Sequence, residues 1–494
     1  MTETTMASPE RQTAGVGSIP IDHSIPLVVD LDGTLLLTDT LHESFVATLF
    51  RSFGIGLTSA LKGLQNRAAA KRFLSDRHEL DIAVLPARDN LVELIRAERD
   101  RGREIHLVTA ADQSIADRAR AEFDMFTSAT GSDGVHNLKG ETKLAYLQQR
   151  FPGGFIYAGD SVADGPIFRA SRGAILCDLG ADAARDLAAT GTLVLAEFDR
   201  GKPSPALWAL AARPHQWSKN ILIFVPLIVG HALFDRQKLI ATTIGFVILC
   251  VLASATYMLN DLADLDADRR HPTKRYRPFA SGHLSIASGL TVALLGILGS
   301  LTAGVMLSRD FALALTGYFV LTMLYSFRLK RIPLLDVFVI GALFTSRILM
   351  GAAVSSLAQS SWLLAFSMAF FFSLALAKRH VELMRARQDS QTVVPGRGYR
   401  TEDWPLTLGF GIGAGLTSIL IMLLYVTNDA APSGFYRDIA WLYLAPAAVT
   451  LWVMRIWLLS QRAALDDDPI VFALRDPVSW GLGAVVVVAL VLAI

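Results

Sequence analysis

The sequence predicts two folds in one chain: an α/β domain built on a parallel sheet, then an all-α polytopic membrane domain of nine transmembrane helices. Short β runs alternate with amphipathic helices over residues 23–200, the pattern of a parallel sheet covered on both faces. Apolar segments recur from Asn220 onward, each roughly the 17–25 residues that cross a bilayer. Charged residues make up 18% of the 494, against roughly 25% in soluble domains, and the deficit falls in the second part.

Residues 1–22 are polar and lack the apolar core of a secretory signal, so they read as a flexible tail. IPLVVDLDG, EIHLVTA, GFIYAGD, GAILCD and TLVLAEF read as strands, with helices such as ARDNLVELIRAERDRG between them. The strand-poor stretch 40–85 reads as a helical cap inserted into the domain, and 201–212 as a linker opened by DRGKPSP. The domain boundaries are therefore 23–200 and 213–494.

The expected spans are 219–234, 239–259, 285–307, 310–327, 333–356, 361–378, 405–427, 437–459 and 476–494. One set of connecting loops holds Arg269, Arg270, Lys274, Arg275 and Arg277, then Arg328, Lys330 and Arg331, then Lys378, Arg379, Arg385, Arg387, Arg397 and Arg400. The opposite set holds only Arg236, Lys238, Arg309 and Arg437. Lys and Arg favour the cytoplasmic side, which predicts an inner-membrane protein with its N-terminal domain in the cytoplasm. A net charge of +1 gives no reason to expect nucleic acid. Cys177 and Cys250 form neither a disulfide framework nor a CxxC metal site.

VVDLDGTLLLTD places Asp30 at the end of a buried strand and Asp32 two residues on. There, both carboxylates project into the ligand crevice of an α/β sheet. One can attack phosphorus; the other can protonate the leaving oxygen and later activate water. Thr109 closes EIHLVTA, and GDSVAD sets Asp160 and Asp164 after a further strand. These aspartates supply hard oxygen ligands of the kind Mg2+ takes. A lysine in NLKGETK, Lys139 or Lys143, can balance phosphate charge.

Residues 24–200 resemble the haloacid dehalogenase superfamily, in particular its phosphoserine-phosphatase-like branch. The resemblance implies a Rossmann-like domain with a helical cap and a phosphatase activity. It makes Asp30 the nucleophile, Asp32 the acid/base, and Thr109 with Lys139 or Lys143 the phosphate ligands. It assigns Mg2+ to Asp30, Asp32, Asp160 and Asp164.

A second acidic group ends the second span: YMLNDLADLDADRRHPTKRYRP. Asn260, Asp261, Asp264 and Asp268 recur at helical spacing and share a face, whereas Asp266 points off it. Carboxylates clustered at a membrane border are costly, and a Mg2+ ion bridging to a diphosphate offsets that cost. Lys274, Arg275 and Arg277 follow at once, placed to bind the phosphates.

NDxxDxxxD with nine expected spans resembles the UbiA superfamily of intramembrane prenyltransferases over residues 207–494. The superfamily's second acidic pair is incomplete here: Tyr325, Lys330 and Asp336 are present, but position 340 is Ile. RPHQWSKN at 213–220, HPTKRYRP at 271–278, Arg347 and AKRHVEL at 377–383 look similar to decaprenyl-phosphate phosphoribosyltransferases, which build a cell-wall pentose donor.

That resemblance implies phosphoribosyl diphosphate as donor and a polyprenyl (decaprenyl) phosphate as acceptor. Asp261, Asp264 and Asp268 would take Mg2+, with Asp261 and Asp264 catalytic, Asn260 beside them, and Lys274 and Arg277 on the diphosphate. Lys219, Lys330, Arg347 and Lys378 would bind phosphate, and Tyr325, Asp336 and Glu382 would line the substrate. Lys219 also reads as a snorkelling residue at a span edge, Trp217 as an interface anchor, Lys378 as a topology signal and Glu382 as an ion-pair partner of Arg379. Arg347, inside a span, is expected to pair with an anion.

Joined, the two parts predict a bifunctional enzyme. The membrane domain transfers 5-phosphoribose to polyprenyl phosphate, and the N-terminal domain removes the 5-phosphate. The alternative is a prenyl-diphosphate transferase with a docking or regulatory N-terminal domain. A transporter fits less well, because the acidic motif lies at a membrane border rather than the midplane.

Overall fold

The computed structural model describes residues 11–13, 18–52, 54, 58–59, 67–394, 397–431, 435–465 and 469–494. The chain divides into two compact units, Met1–Ala212 with Tyr257–Ala293, and Arg213–Thr256 with Leu294–Ile494.

The first unit is built on a seven-stranded sheet in the order β1-β7-β6-β5-β2-β3-β4. The strands are β1 (Arg11–Thr13), β2 (Leu27–Val29), β3 (Ile105–Asp112), β4 (Ser128–Ser132), β5 (Ile156–Gly159), β6 (Gly173–Cys177) and β7 (Val194–Asp199). All pairs are parallel except β1 with β7. The β2 side chains bury on both faces. Leu27 and Val29 pack with Leu91 and Ile95 of helix Asp89–Asp100. Val28 packs with Leu147, Phe155 and Phe168 on the other side. From β2 the chain runs to β3 and β4 on one side and to β5, β6 and β7 on the other. The ends of β2 and β5 therefore flank the switch point where α/β sheets bind ligands.

Five strands coincide with the expected runs. β4, with the sequence SATGS, has no apolar run to reveal it. β1 and the buried Ile19 lie in the stretch expected to be a free tail. The expected linker contains a helix, Pro205–Ala212. Of the expected cap, helices Thr40–Arg51 and Arg67–Ser75 and the 3-10 turn Ile82–Val84 are present. Residues 53, 55–57 and 60–66 fall outside the described residues.

Of the nine expected spans, seven coincide with long apolar helices. Among the described residues, seven helices are long and apolar enough to cross a membrane: Arg236–Ala263, Ile286–Leu307, Arg309–Phe327, Leu335–Ser355, Ser361–Gln388, Thr401–Ala430 and Ile439–Gln461. The first expected span is a 3-10 run, Pro214–Phe224, followed by the short helix Val225–Val229. Pro214 and Pro226 each lack a backbone donor, and Gly230 with His231, at φ 52°, ends the segment. The last expected span is the 17-residue helix Pro477–Ala493.

Gly351 allows the 3-10 run to lie against helix Leu335–Ser355, since a Cβ there would sit 2.0 Å from the Ile223 carbonyl oxygen. That close approach brings Asn220 to Arg347, one helical turn before Gly351.

Candidate functional site

The α/β site forms where β2, β3 and β5 end. Asp30 follows β2, and its Oδ2 lies 3.0 Å from Lys143 Nζ. Lys143 is buried at the start of helix Glu141–Arg150 and donates to Tyr157 Oη at 2.8 Å. Lys139 is exposed, so of the two expected lysines the structure brings Lys143 to Asp30. Thr109 is buried near the end of β3, where its Oγ1 accepts from Ala111 N.

Asp30, Asp160 and Asp164 each bring a carboxylate oxygen within 4.8 Å of the others. Burial, then the charges of Asp30 and Asp164, push Asp160 up to about 7. Burial raises Asp164 as well, and its Oδ2 is buried with no hydrogen-bond partner. Crowded, partly desolvated carboxylates with an orphan oxygen fit a hard divalent cation. Asp32, expected as a fourth metal ligand, is a correction: its Oδ1 accepts from Thr40 N at 2.9 Å and its Oδ2 from Thr40 Oγ1 at 3.2 Å. Burial, with the charge of Asp39 behind it, raises its carboxyl well above the usual range.

The acidic motif of residues 260–268 belongs to the same unit. It does not lie on one continuous helix, as the spacing had predicted. Helix Arg236–Ala263 ends just before Asp264, which caps a second helix, Leu265–Arg270. Arg277 closes the break, its Nη1 lying 3.1 Å from Asp261 Oδ1 and 2.6 Å from Asp268 Oδ2. Arg277, expected to be a phosphate ligand, is paired with two of the expected metal ligands. Both carboxylates are buried, and burial raises Asp268. Asn260 Oδ1 is buried without a partner. Asp266 is exposed, as its position predicts, and Lys274 is exposed in the turn Lys274–Tyr276. Among the described residues, only Asp30, Asp160 and Asp164 gather their carboxylate oxygens closely enough for one metal ion. Here Arg277 sits between Asp261 and Asp268 and balances their charge.

In the second unit, Arg347 Nε donates to Asn220 Oδ1 at 3.0 Å and its Nη2 to Tyr318 Oη at 3.0 Å, while Nη1 donates to the Leu343 carbonyl. Every one of these acceptors is neutral. The expected anionic partner is not found among the described residues. Asp336 is fully buried, bridged to Arg379 at 2.8 Å and accepting from Tyr399 Oη at 2.7 Å. Arg379 also pairs with Glu382, the ion-pair role anticipated for that glutamate. Tyr399 Oη in turn accepts from Leu334 N at 2.7 Å, where Leu334 holds φ 64°. Tyr325 Oη accepts from Arg397, which also reaches the Lys330 carbonyl. Lys219 and Lys378 are half-buried.

Residues 204–475, more than half the chain, match the UbiA prenyltransferase family. The chain belongs to the UbiA prenyltransferase family. A UbiA member that has, among the described residues, seven helices long and apolar enough to cross a membrane, it is an integral membrane protein. It is 47% identical over 472 residues to protein y4nM of Sinorhizobium fredii, covering 96% of this chain and 92% of that one. It is 35% identical over 270 residues to nodulation protein NoeC of Azorhizobium caulinodans, covering 54% of this chain and 86% of that one. It is 36% identical over 180 residues to decaprenyl-phosphate phosphoribosyltransferase of Corynebacterium glutamicum, covering 35% of this chain and 54% of that protein. The UbiA match contains the acidic motif, Asn220, Arg347 and Asp336, and leaves Asp30 and Asp160 outside it.

Sequence reasoning missed two groups. Lys71 comes from helix Arg67–Ser75, and its Nζ donates to the Ala110 carbonyl at 2.5 Å and to Asn137 Oδ1 at 3.2 Å. Burial lowers its ammonium, and the charges of Asp32, Asp39 and Asp30 act on it. No motif in the helical insert marks it. Tyr399 was missed because its role depends on a loop folding back over Leu334.

Proposed function

We propose that the UbiA domain transfers 5-phosphoribose from phosphoribosyl diphosphate to a polyprenyl phosphate. A haloacid dehalogenase-like N-terminal domain then removes the 5-phosphate. An oxygen of the lipid phosphate forms a bond to the anomeric carbon, the carbon–oxygen bond to diphosphate breaks, and diphosphate leaves with the electron pair. Arg277 and Lys274 bind the leaving diphosphate, whose charge builds as the bond breaks. Asp261, Asp264 and Asp268, with Asn260, would hold Mg2+, which when bound would supply Lewis-acid stabilisation of that charge. Lys219, Lys330, Arg347 and Lys378 take the lipid phosphate or the ribose 5-phosphate. Arg347 suits this role because its charge faces only neutral partners. Tyr325, Asp336 and Glu382 shape the surrounding wall.

In the N-terminal domain, Asp30 attacks the phosphorus of the 5-phosphate while protonated Asp32 gives its proton to the departing ribose oxygen. Water, deprotonated by Asp32, then attacks the aspartyl phosphate and releases inorganic phosphate, restoring both carboxyls. Lys143 and Thr109 hold the phosphate oxygens, and Asp30, Asp160 and Asp164 would hold Mg2+. Both reactions take place at the cytoplasmic face of the inner membrane, the side the loop charges favour.

The observation that carries this reading is Arg277, bridged to Asp261 and Asp268 beside the orphan Asn260 Oδ1. It supplies the acidic set and the cation that a metal-bound diphosphate needs. The reading is tested by giving the purified protein labelled phosphoribosyl diphosphate, Mg2+ and decaprenyl phosphate. Both lipid-linked ribose 5-phosphate and lipid-linked ribose are expected, and Asp30→Asn should stop at the first. Absence of any lipid-linked pentose would falsify the proposal.

A further inference from the structure

We propose that a cleft at the carboxyl edge of the sheet seats the lipid-proximal part of a phosphomonoester carried on an isoprenoid chain, making that amphiphile, rather than a free sugar phosphate, the substrate of the N-terminal domain. The inference rests on the phosphatase reading above. The cleft encloses about 520 Å³, within the range of roughly 300–1,000 Å³ typical of ligand sites.

Gly33, Leu37 and Asp39, the chain that follows Asp32, form one wall. Gly33 borders the catalytic group directly, since a Cβ on it would lie 2.0 Å from Asp160 Oδ2. Leu207 and Trp208 of helix Pro205–Ala212, and Ile286, the first residue of the apolar helix Ile286–Leu307, supply apolar wall. Arg200 and Lys202 line the cleft as well. Asp39, Asp178 and Asp199 line it too; the charge of Asp178 is met by Arg88 at 2.5 Å and Arg200 at 2.7 Å.

The walls are fixed to each other. Arg200 Nη1 donates to the Leu37 carbonyl at 2.7 Å and to the Gly282 carbonyl at 2.8 Å. Gly282, at φ 77°, comes so close to Leu37 that a Cβ there would meet the Leu37 Cβ at 2.9 Å.

The cleft thus brings together Gly33, which borders Asp160, the cation of Lys202, and an apolar wall where a membrane helix begins. A free sugar phosphate uses only the first part. A sugar phosphate joined through a second phosphate to an isoprenoid uses all three: the ester at Asp30, the linking phosphate beside Lys202, and the first prenyl unit against Trp208 and Leu207. Hydrolysis breaks the terminal phosphorus–oxygen bond, the ribose oxygen takes a proton, and water supplies the oxygen of the released phosphate. The linking diester is left intact.

The test measures phosphate released by the full-length protein from ribose 5-phosphate and from farnesyl-phosphoryl-ribose 5-phosphate in mixed micelles. The wild type should prefer the farnesyl ester. Trp208→Ala and Leu207→Ser should each lower kcat/KM for it about tenfold or more, mostly through KM, and leave ribose 5-phosphate turnover unchanged, which also reports an intact fold. Trp208→Leu, which keeps an apolar wall, should retain the preference. Equal turnover of both esters by the wild type, or variants that alter neither, overturns this inference alone. Should Trp208→Ala lose both activities, Leu207→Ser carries the comparison. Release from neither ester by the wild type removes the phosphatase reading and this inference together.

Discussion

Arg269 donates to both carboxylate oxygens of Glu43, Nη2 to Oε1 at 2.6 Å and Nη1 to Oε2 at 3.0 Å, and the two side chains are only 4% and 3% exposed. Arg269 follows Asp268 of the acidic motif, and Glu43 lies on helix Thr40–Arg51, whose first residue holds Asp32. Removing one partner of a buried pair strands the other charge, at a cost of about 3–5 kcal/mol. Arg269→Met should therefore loosen helix Thr40–Arg51. Hydrogen exchange of its amides is the measurement, and protection unchanged from wild type would show the pair to be inert. Combining Arg269→Met with Glu43→Leu should restore most of the protection, because no lone charge then remains.

Gly33 has φ 72° and no room for a side chain beside Asp160. Gly33→Ala forces a methyl toward Asp160 Oδ2 and strains a backbone region that L residues avoid. Phosphate release should fall by about a hundredfold or more, the scale on which small misplacements of reacting groups act. Transfer of phosphoribose should persist, and the lipid-linked 5-phosphate should accumulate in the product assay. Loss of both activities together would mean the substitution acts on more than this turn.

The Asp160 carboxyl, pushed up to about 7, sets a pH dependence. Its folded pKa lies above its unfolded value, so the metal-free fold binds the extra proton. That contribution to stability is complete at low pH and is lost as pH rises through about 7. Asp32 and Asp164, also raised, act in the same direction. In the presence of a chelator, Tm should fall between pH 5 and pH 8. Added Mg2+ should recover most at pH 8, where the carboxylates are charged and ready to bind. Thermal melts across that range, with and without Mg2+, check both halves.

Much of this was legible in the sequence because chemistry and spacing coincide. Asp30, Asp160 and Asp164 each follow a strand whose apolar run announces it, and the parallel sheet then brings them together. β4 stayed hidden because SATGS is small and polar, held as an edge strand by pairing with β3 rather than by its own propensity. The first expected span was misread because hydropathy records apolar length and not whether prolines permit an α-helix. The acidic motif has helical spacing across a point where the helix stops at Ala263, and the restart depends on Arg277 bridging from beyond the turn. Lys71 and Tyr399 reach their partners through tertiary folding, which local patterns do not encode.

Arg347 is a buried cation held by a carboxamide, a phenol and a carbonyl. Neutral acceptors fix the guanidinium plane without cancelling its charge, which leaves it able to bind phosphate. Arg347→Met removes the charge and keeps much of the volume. It should lower phosphoribosyl transfer by about a hundredfold, the equivalent of roughly 2.7 kcal/mol. Arg347→Lys keeps the charge but not the fork that meets Asn220 and Tyr318, so it should recover only part of the rate. Product yield per hour from the labelled donor is the readout, and a full rate in Arg347→Met would remove the residue from the phosphate-binding set.

Arg277 serves either as a brace between two carboxylates or as a ligand for the leaving diphosphate, and the response to donor concentration separates these roles. If it is only a brace, Arg277→Lys, which keeps a charged nitrogen for Asp261 and Asp268, leaves KM for phosphoribosyl diphosphate unchanged. If Arg277 also binds diphosphate, KM rises in Arg277→Lys, which keeps the charge and loses the planar fork. The geometry favours the second outcome: a single nitrogen, Nη1, meets both aspartates, which leaves Nε and Nη2 to reach a phosphate. Transfer should fall about a hundredfold or more in Arg277→Gln, which removes the charge. A wild-type KM in Arg277→Lys would assign Arg277 to the brace alone.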